Sequence, residues 1–203
     1  MQRGRLILIV GGARSGKSSF AEELARKAAK KVIYVATARV EDREMAVRVA
    51  HHRRRRPPDW ETVEEHLDLA SVIAERGRSD TVILVDCLGV YLSNLLLAQT
   101  SLPADEVGFL LPPDRKAAVR ERVEELARVA WESPSDVLVV TNEVGSGLVP
   151  PYPLGRLYRD LLGWINQRFA SLADAVYLVV AGIPLEIKSL AGRTVVRGEE
   201  EWW

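Results

Sequence analysis

Eight consecutive residues near the N-terminus constrain this chain more than any other feature: Gly11-Gly12-Ala13-Arg14-Ser15-Gly16-Lys17-Ser18. They fit the pattern GxxxxGK[ST] in full. An apolar run, Leu6-Ile7-Leu8-Ile9-Val10, precedes them and reads as a buried strand; the stretch from Ser19 to Ala28 follows and reads as a helix. A strand, a glycine-rich loop and a helix in that order are the context a phosphate-binding loop requires. Glycines let the backbone curl until successive N–H groups point at phosphate oxygens. The helix N-terminus adds a partial positive charge. Lys17 is placed to reach β- and γ-phosphates, and Ser18 to hold Mg²⁺. The chain is therefore expected to bind a nucleoside triphosphate.

Further strand-like runs recur at Lys31–Ala36, Thr81–Asp86, Asp136–Thr141 and Ala175–Ala181, with helical candidates at 41–54, 65–77, 88–99, 114–131 and 154–172. Unbroken apolar runs suit strands buried on both faces, and their alternation with helices predicts a mostly parallel sheet covered on both sides. The expected fold class is α/β, a single P-loop NTPase domain of RecA-like type over residues 1–191, followed by a polar tail over 192–203. The length of 203 residues suits one such domain. A formal net charge of zero gives no global field toward nucleic acid or anionic membrane. The single cysteine, Cys87, excludes an intramolecular disulfide and a multi-cysteine metal site. The N-terminus runs directly into the first strand without a leader pattern, and no apolar stretch approaches the roughly 20 residues of a membrane span, so a cytoplasmic protein is expected.

Parallel strands bring their C-terminal ends to one edge, where ligands bind. Asp86 ends one strand and is the expected Mg²⁺ acid beside Ser18. Glu41 and Asp42 could compete, but they sit at a helix start, where acids are favoured by the dipole alone. The block His51-His52-Arg53-Arg54-Arg55-Arg56 is followed by Pro57-Pro58, which stops a helix. Neutral imidazole can attack phosphorus while arginines hold anionic phosphates, and neighbouring guanidiniums disfavour a protonated ring. A phosphate-binding patch without covalent chemistry fits the same residues. The loop Thr141-Asn142-Glu143-Val144-Gly145-Ser146-Gly147 brings polar groups to the same edge, as a substrate site, a γ-phosphate sensor or a plain turn. Trp60 reads as a cover for a base or an anchor for its loop, and His66 as a helix-surface residue. Residues 101–113, with three prolines, read as a surface excursion. These motifs admit a P-loop small-molecule kinase without covalent histidine chemistry. They also admit a nucleotide-dependent regulatory or nucleic-acid-binding ATPase, though the basic residues lack the interleaved aromatics of a nucleic-acid surface.

The loop GGARSGKS, the segment Tyr34–Ala38 (YVATA), the spacing from Arg48 through His52 to Trp60, and the segments Thr141–Pro150, Asn166–Arg168, Ala173–Pro184 and Lys188 occur in order. In these the chain resembles the bifunctional adenosylcobinamide kinase/adenosylcobinamide-phosphate guanylyltransferases of cobalamin biosynthesis. The resemblance implies two reactions. A nucleoside triphosphate, ATP or GTP, phosphorylates adenosylcobinamide; GTP then donates GMP to that phosphate through a GMP–histidine intermediate. It implies His52 as nucleophile, four residues after Arg48. It also implies nucleotide contacts from Gly11 to Ser18, Ala36, Thr37, Ala38, Arg53, Arg54, Arg55, Arg56, Glu64 and Asp86, with Lys17 catalytic and Ser18 and Asp86 on Mg²⁺. A homotrimer with no nucleic-acid partner is implied as well.

Overall fold

A computed structural model describes residues 3–28, 30–39, 56–98 and 112–191. The strands are β1 (Leu6–Gly11), β2 (Lys31–Ala36), β3 (Glu61–Glu64), β4 (Thr81–Asp86), β5 (Asp136–Asn142), β6 (Ala175–Val180) and β7 (Ile183–Glu186). They form one sheet in the order β3-β2-β4-β5-β1-β6-β7, parallel throughout except for β7, which runs antiparallel to β6. The helices are α1 (Lys17–Lys27), α2 (Leu69–Arg76), α3 (Leu88–Ala98), α4 (Pro113–Glu132) and α5 (Pro153–Leu172).

Side chains alternate across the pleat, so each central strand feeds two cores. Leu6, Leu8, Ile33, Val35, Ile83, Val85, Val137 and Val139 face α2, α3, α4 and α5. Ile7, Ile9, Val32, Tyr34, Val82, Leu84, Leu138 and Val140 face the other way, where Ala21 and Ala25 of α1 and the ring of Trp60 cover them. Burial on both faces is why these strands read as continuous apolar runs. The expected α/β architecture with helices on both faces is the one observed. Trp60 anchors its loop into the second core, and its backbone N–H donates to Pro57 O.

Two strands lay outside the sequence reading. β3 (ETVE) is a polar edge strand with a half-exposed pattern, so it carries no apolar run. β7 holds Pro184, which removes a ladder donor and is tolerated at an edge. The helix expected over 65–77 begins only at Leu69, because the Glu65 carboxylate accepts the N–H groups of His66, Leu67 and Asp68 and forms a turn ahead of it. The Asp68 side chain then caps α2 through the Ser71 N–H. The expected helix over 41–54, most of the 101–113 excursion and the tail from 192 lie outside the described residues.

Candidate active site at the carboxyl edge of the sheet

The phosphate loop turns from β1 into α1 by two positive-φ residues, Arg14 (φ 56°) and Gly16 (φ 95°). Gly11 is required for contact reasons: a Cβ there would stand 2.4 Å from Ser15 Oγ and 2.6 Å from Val179 O. Gly16 begins α1 with no side-chain cap, and the first turn holds no acid. An arriving anion therefore meets no competing carboxylate there. Lys17 Nζ donates to Gly12 O at 3.1 Å. The β6–β7 turn supports the loop from behind. Its residues Ala181 (φ 51°) and Gly182 (φ 81°) are both left-handed, and the Gly182 N–H donates to Ser15 O at 2.8 Å. That bond explains the Ala-Gly pair after the last apolar run.

Asp86 ends β4, level with Ala36 of β2. It stands two strands from β1, roughly 10 Å at sheet spacing. Following Val85 by one position, it falls on the α1 face of the sheet, the face of Tyr34. Tyr34 is 3% exposed, and its hydroxyl donates to Asp86 Oδ2 at 2.8 Å. Burial, and then the charge of Asp86, push the Tyr34 phenol above its ordinary value, which keeps the hydroxyl a donor. The guanidinium of Arg56 lies over the other side of the phenol ring, 3.4 Å from its centroid. Burial pushes the Cys87 thiol up to about 11, with Asp86 adding to the shift, so this cysteine stays a thiol at neutral pH.

Thr37 ties the ends of β2 and β4 together. It is fully buried; its N–H donates to Asp86 O, and its hydroxyl accepts the Cys87 N–H at 2.8 Å. Its carbonyl accepts from Asn94 Nδ2 at 2.8 Å and meets His66 Nδ1 at 3.1 Å. A carbonyl only accepts, so Nδ1 carries the ring proton. His66 is thus not a helix-surface residue: it precedes α2 and is half-buried against the edge. Asn94 Nδ2 also reaches His66 O at 3.2 Å.

The Thr141 loop is fastened from α5. Thr141 Oγ1 donates to Asn166 Oδ1, while Asn166 Nδ2 donates to Asn142 O. Glu143 N–H donates to Gly11 O, joining this loop to the phosphate loop. Glu143 Oε1 closes the turn on the N–H groups of Gly145 and Ser146. Lys188 Nζ donates to the carbonyls of Ala170, Ser171 and Ala173, which closes the C-terminal end of α5.

Of the residues singled out in the sequence, Gly11 to Ser18, Ala36, Thr37, Ala38 and Asp86 lie along one edge of the sheet. Ala36 and Ala38 are half-buried; Thr37 has its backbone and hydroxyl groups bonded within the protein. Glu64 is exposed at the end of β3, level with Ala36. Arg56 lies over the face of the Tyr34 ring, whereas His51, His52, Arg53, Arg54, Arg55, Glu41 and Asp42 lie outside the described residues. Sequence reasoning did not single out Tyr34, Asn94 or Asn166 as side chains with work at this edge. Asn94 carries the clearest signal, an amide among the apolar residues of a buried helix. Among the described residues no group of three or more His, Cys, Asp or Glu could hold a metal by itself. Asp86 and Ser18 are a carboxylate and a hydroxyl, hard oxygen donors of the kind that Mg²⁺ takes together with phosphates.

The family model for cobinamide kinase/cobinamide phosphate guanyltransferase matches residues 7–187. The bifunctional adenosylcobalamin biosynthesis protein CobP of Pseudomonas aeruginosa is 41% identical over 181 residues, which is 89% of this chain and 96% of that protein. The bifunctional adenosylcobalamin biosynthesis protein CobU of Salmonella typhimurium is 40% identical over 183 residues, 90% of this chain and 99% of that protein. Among solved structures, a prototypical ATPase from the type III secretion system of pathogenic bacteria superposes with a TM-score of 0.51 at 14% identity, over 96% of this chain and 55% of that one. At that identity the likeness shows the fold, a RecA-like α/β domain.

Proposed function

Because this chain belongs to the cobinamide kinase/cobinamide phosphate guanyltransferase family, we propose that it carries out two reactions in succession on adenosylcobinamide. In the first, the γ-phosphoryl group of ATP or GTP passes to the hydroxyl of the aminopropanol arm. In the second, the imidazole of His52 attacks the α-phosphorus of GTP. A P–N bond forms and pyrophosphate leaves; the phosphate of adenosylcobinamide phosphate then attacks the same phosphorus, giving adenosylcobinamide-GDP and freeing His52. The observation that carries the reading is the phosphate loop set on the same sheet edge and the same face as Asp86, with Arg56, four residues along the chain from His52, stacked on the residue that holds Asp86.

Each residue has a part. The loop amides and Lys17 bind and orient the triphosphate, and Lys17 offsets the charge that builds on the transferring group. Ser18 and Asp86 would hold Mg²⁺, which supplies charge neutralisation of the phosphate oxygens. Thr37 fixes the backbone at Ala36 and Ala38, which line the nucleotide. Arg53, Arg54 and Arg55 bind phosphates beside His52, Arg56 holds the Tyr34 ring at the end of that segment, and Glu64 contacts the nucleotide. The enzyme acts as a homotrimer in the cytoplasm, as the family resemblance implies; the exposed apolar side chains Ile183 and Leu185 on β7 and Leu148 and Val149 beside the Thr141 loop are surface open to a subunit contact. Among the described residues no helix is long and apolar enough to cross a membrane.

Incubation with GTP labelled at the α-phosphate, followed by denaturation, tests this function. Label on the chain that survives base, is lost in acid and is missing from His52→Ala is the expected result. Transfer of γ-phosphate to adenosylcobinamide without any such label would leave a kinase whose His52 only binds phosphate.

A further inference from the structure

Tyr34 lies one diagonal position from Asp86 across the β2–β4 ladder, since Tyr34 pairs with Leu84 and Ala36 with Asp86. A diagonal of about 7–8 Å is within reach of a tyrosine hydroxyl. The hydroxyl spans it to Asp86 Oδ2 at 2.8 Å. One carboxylate oxygen is thereby engaged and the rotation of the group is fixed, leaving Oδ1 as the oxygen free of this bond. The ring cannot turn away, because Arg56 lies 3.4 Å from its centroid and the rest of the side chain is buried in the second core beside its ladder partner Leu84. Arg56 is itself steered by Thr62 Oγ1 of β3, to which its Nη1 donates at 3.4 Å. A guanidinium over a desolvated aromatic ring is a contact of appreciable strength. Arg56 also closes the arginine segment, which the proposed second reaction uses, whereas Asp86 belongs to the metal and phosphate loop used throughout.

We propose that Tyr34 is a positioning residue that couples Arg56 to Asp86: Arg56 docked on the ring holds the phenol in place, and the phenol holds the carboxylate in the orientation that accepts the divalent ion. The inference rests on the reading of Asp86 as a metal-side acid. It assigns a role to a residue that otherwise looks like one more buried strand position. It also gives the two half-reactions a physical link, since movement of Arg56 off the ring would release the carboxylate of Asp86.

The test is Mn²⁺ binding measured by electron paramagnetic resonance on the full chain with a non-hydrolysable GTP analogue. The proteins compared are wild type, Asp86→Asn, Tyr34→Phe, Arg56→Gln and the Tyr34→Phe/Arg56→Gln pair. Phenylalanine keeps the ring and its guanidinium contact and removes only the hydroxyl. Arg56→Gln tests the same link without touching the core. The expected result is the largest loss of Mn²⁺ affinity in Asp86→Asn, a loss of about 10-fold or more in Tyr34→Phe, in keeping with one lost hydrogen bond to a charged group, and a smaller loss in Arg56→Gln that vanishes in the Tyr34→Phe background. Analogue binding without metal should be unchanged in Tyr34→Phe. Unaltered Mn²⁺ affinity in Tyr34→Phe beside a clear loss in Asp86→Asn would overturn the proposal. An Arg56→Gln effect of the same size in both backgrounds would overturn the coupling. Unaltered affinity in Asp86→Asn would instead remove the metal reading on which the proposal stands.

Discussion

Replacing Asn94 by leucine should destabilise the chain and loosen the nucleotide edge together. Asn94 is 7% exposed on α3, and its amide donates to Thr37 O and His66 O. Leucine fits the volume but donates nothing. Two hydrogen bonds of about 0.5–1.5 kcal/mol each are lost, and the His66 carbonyl loses its amide donor in a partly buried place. Extra apolar burial offsets some of this, so a net cost of about 2–3 kcal/mol is expected. For a chain of this length that is a fall in Tm of about 4–12 °C. Thr37 O keeps a second donor, His66 Nδ1, so the two substitutions should not add. In a His66→Ala background Asn94→Leu should cost about 1 kcal/mol more than it does alone, because the carbonyl then loses both donors. Thermal unfolding of the four proteins gives the cycle, and titration with GTP reports whether the Ala36–Ala38 wall has shifted. A Tm within about 1 °C of wild type together with unchanged GTP affinity would refute the reasoning, since it would mean that the amide holds neither loop.

Lys188→Met removes three bonds to carbonyls at the C-terminal end of α5, a helix with no basic residue in its own final turn; a loss of about 2 kcal/mol, or about 4–8 °C in Tm, should appear in a melting curve. Ala181→Gly relieves a left-handed non-glycine residue in the turn beneath the phosphate loop, and should raise Tm by about 1–3 °C with kinase activity unchanged. Glu186 is held down to about 2 by hydrogen bonding from Ser189 and then from the Val176 N–H. Its contribution is therefore complete above the ordinary glutamate value near 4.3 and is lost as pH falls from there toward 2, so the melting temperature of Glu186→Gln should fall less steeply over that window than that of wild type.

The parts of the fold that were legible are those in which local sequence and tertiary burial ask for the same residues. Leu6–Gly11 is apolar because both faces of β1 are covered, and the loop after it is glycine-rich because Gly11 and Gly16 meet backbone atoms where a side chain would collide or strain. β3 and β7 were hidden because an edge strand need bury only part of one face; Glu61–Glu64 is polar, and Ile183–Glu186 carries a proline. The acid at the end of β4 was legible, since an ionisable residue that closes an apolar run is conspicuous. What governs that acid was not. Whether a tyrosine on β2 touches Asp86 depends on the register of β2 against β4, and a slip of one residue would turn Tyr34 to the other face. Asn94 and His66 are likewise joined to Thr37 across 57 and 29 residues of chain. Spacing along the chain can therefore nominate the groups that meet phosphate and metal, while the groups that aim them are settled only when the strands find their register. The side chains that aim Asp86 and Thr37 are for this reason the more informative ones to mutate: Lys17→Ala would report that the triphosphate is needed, whereas Tyr34→Phe and Asn94→Leu each remove hydrogen bonding behind a site whose reacting groups remain in place.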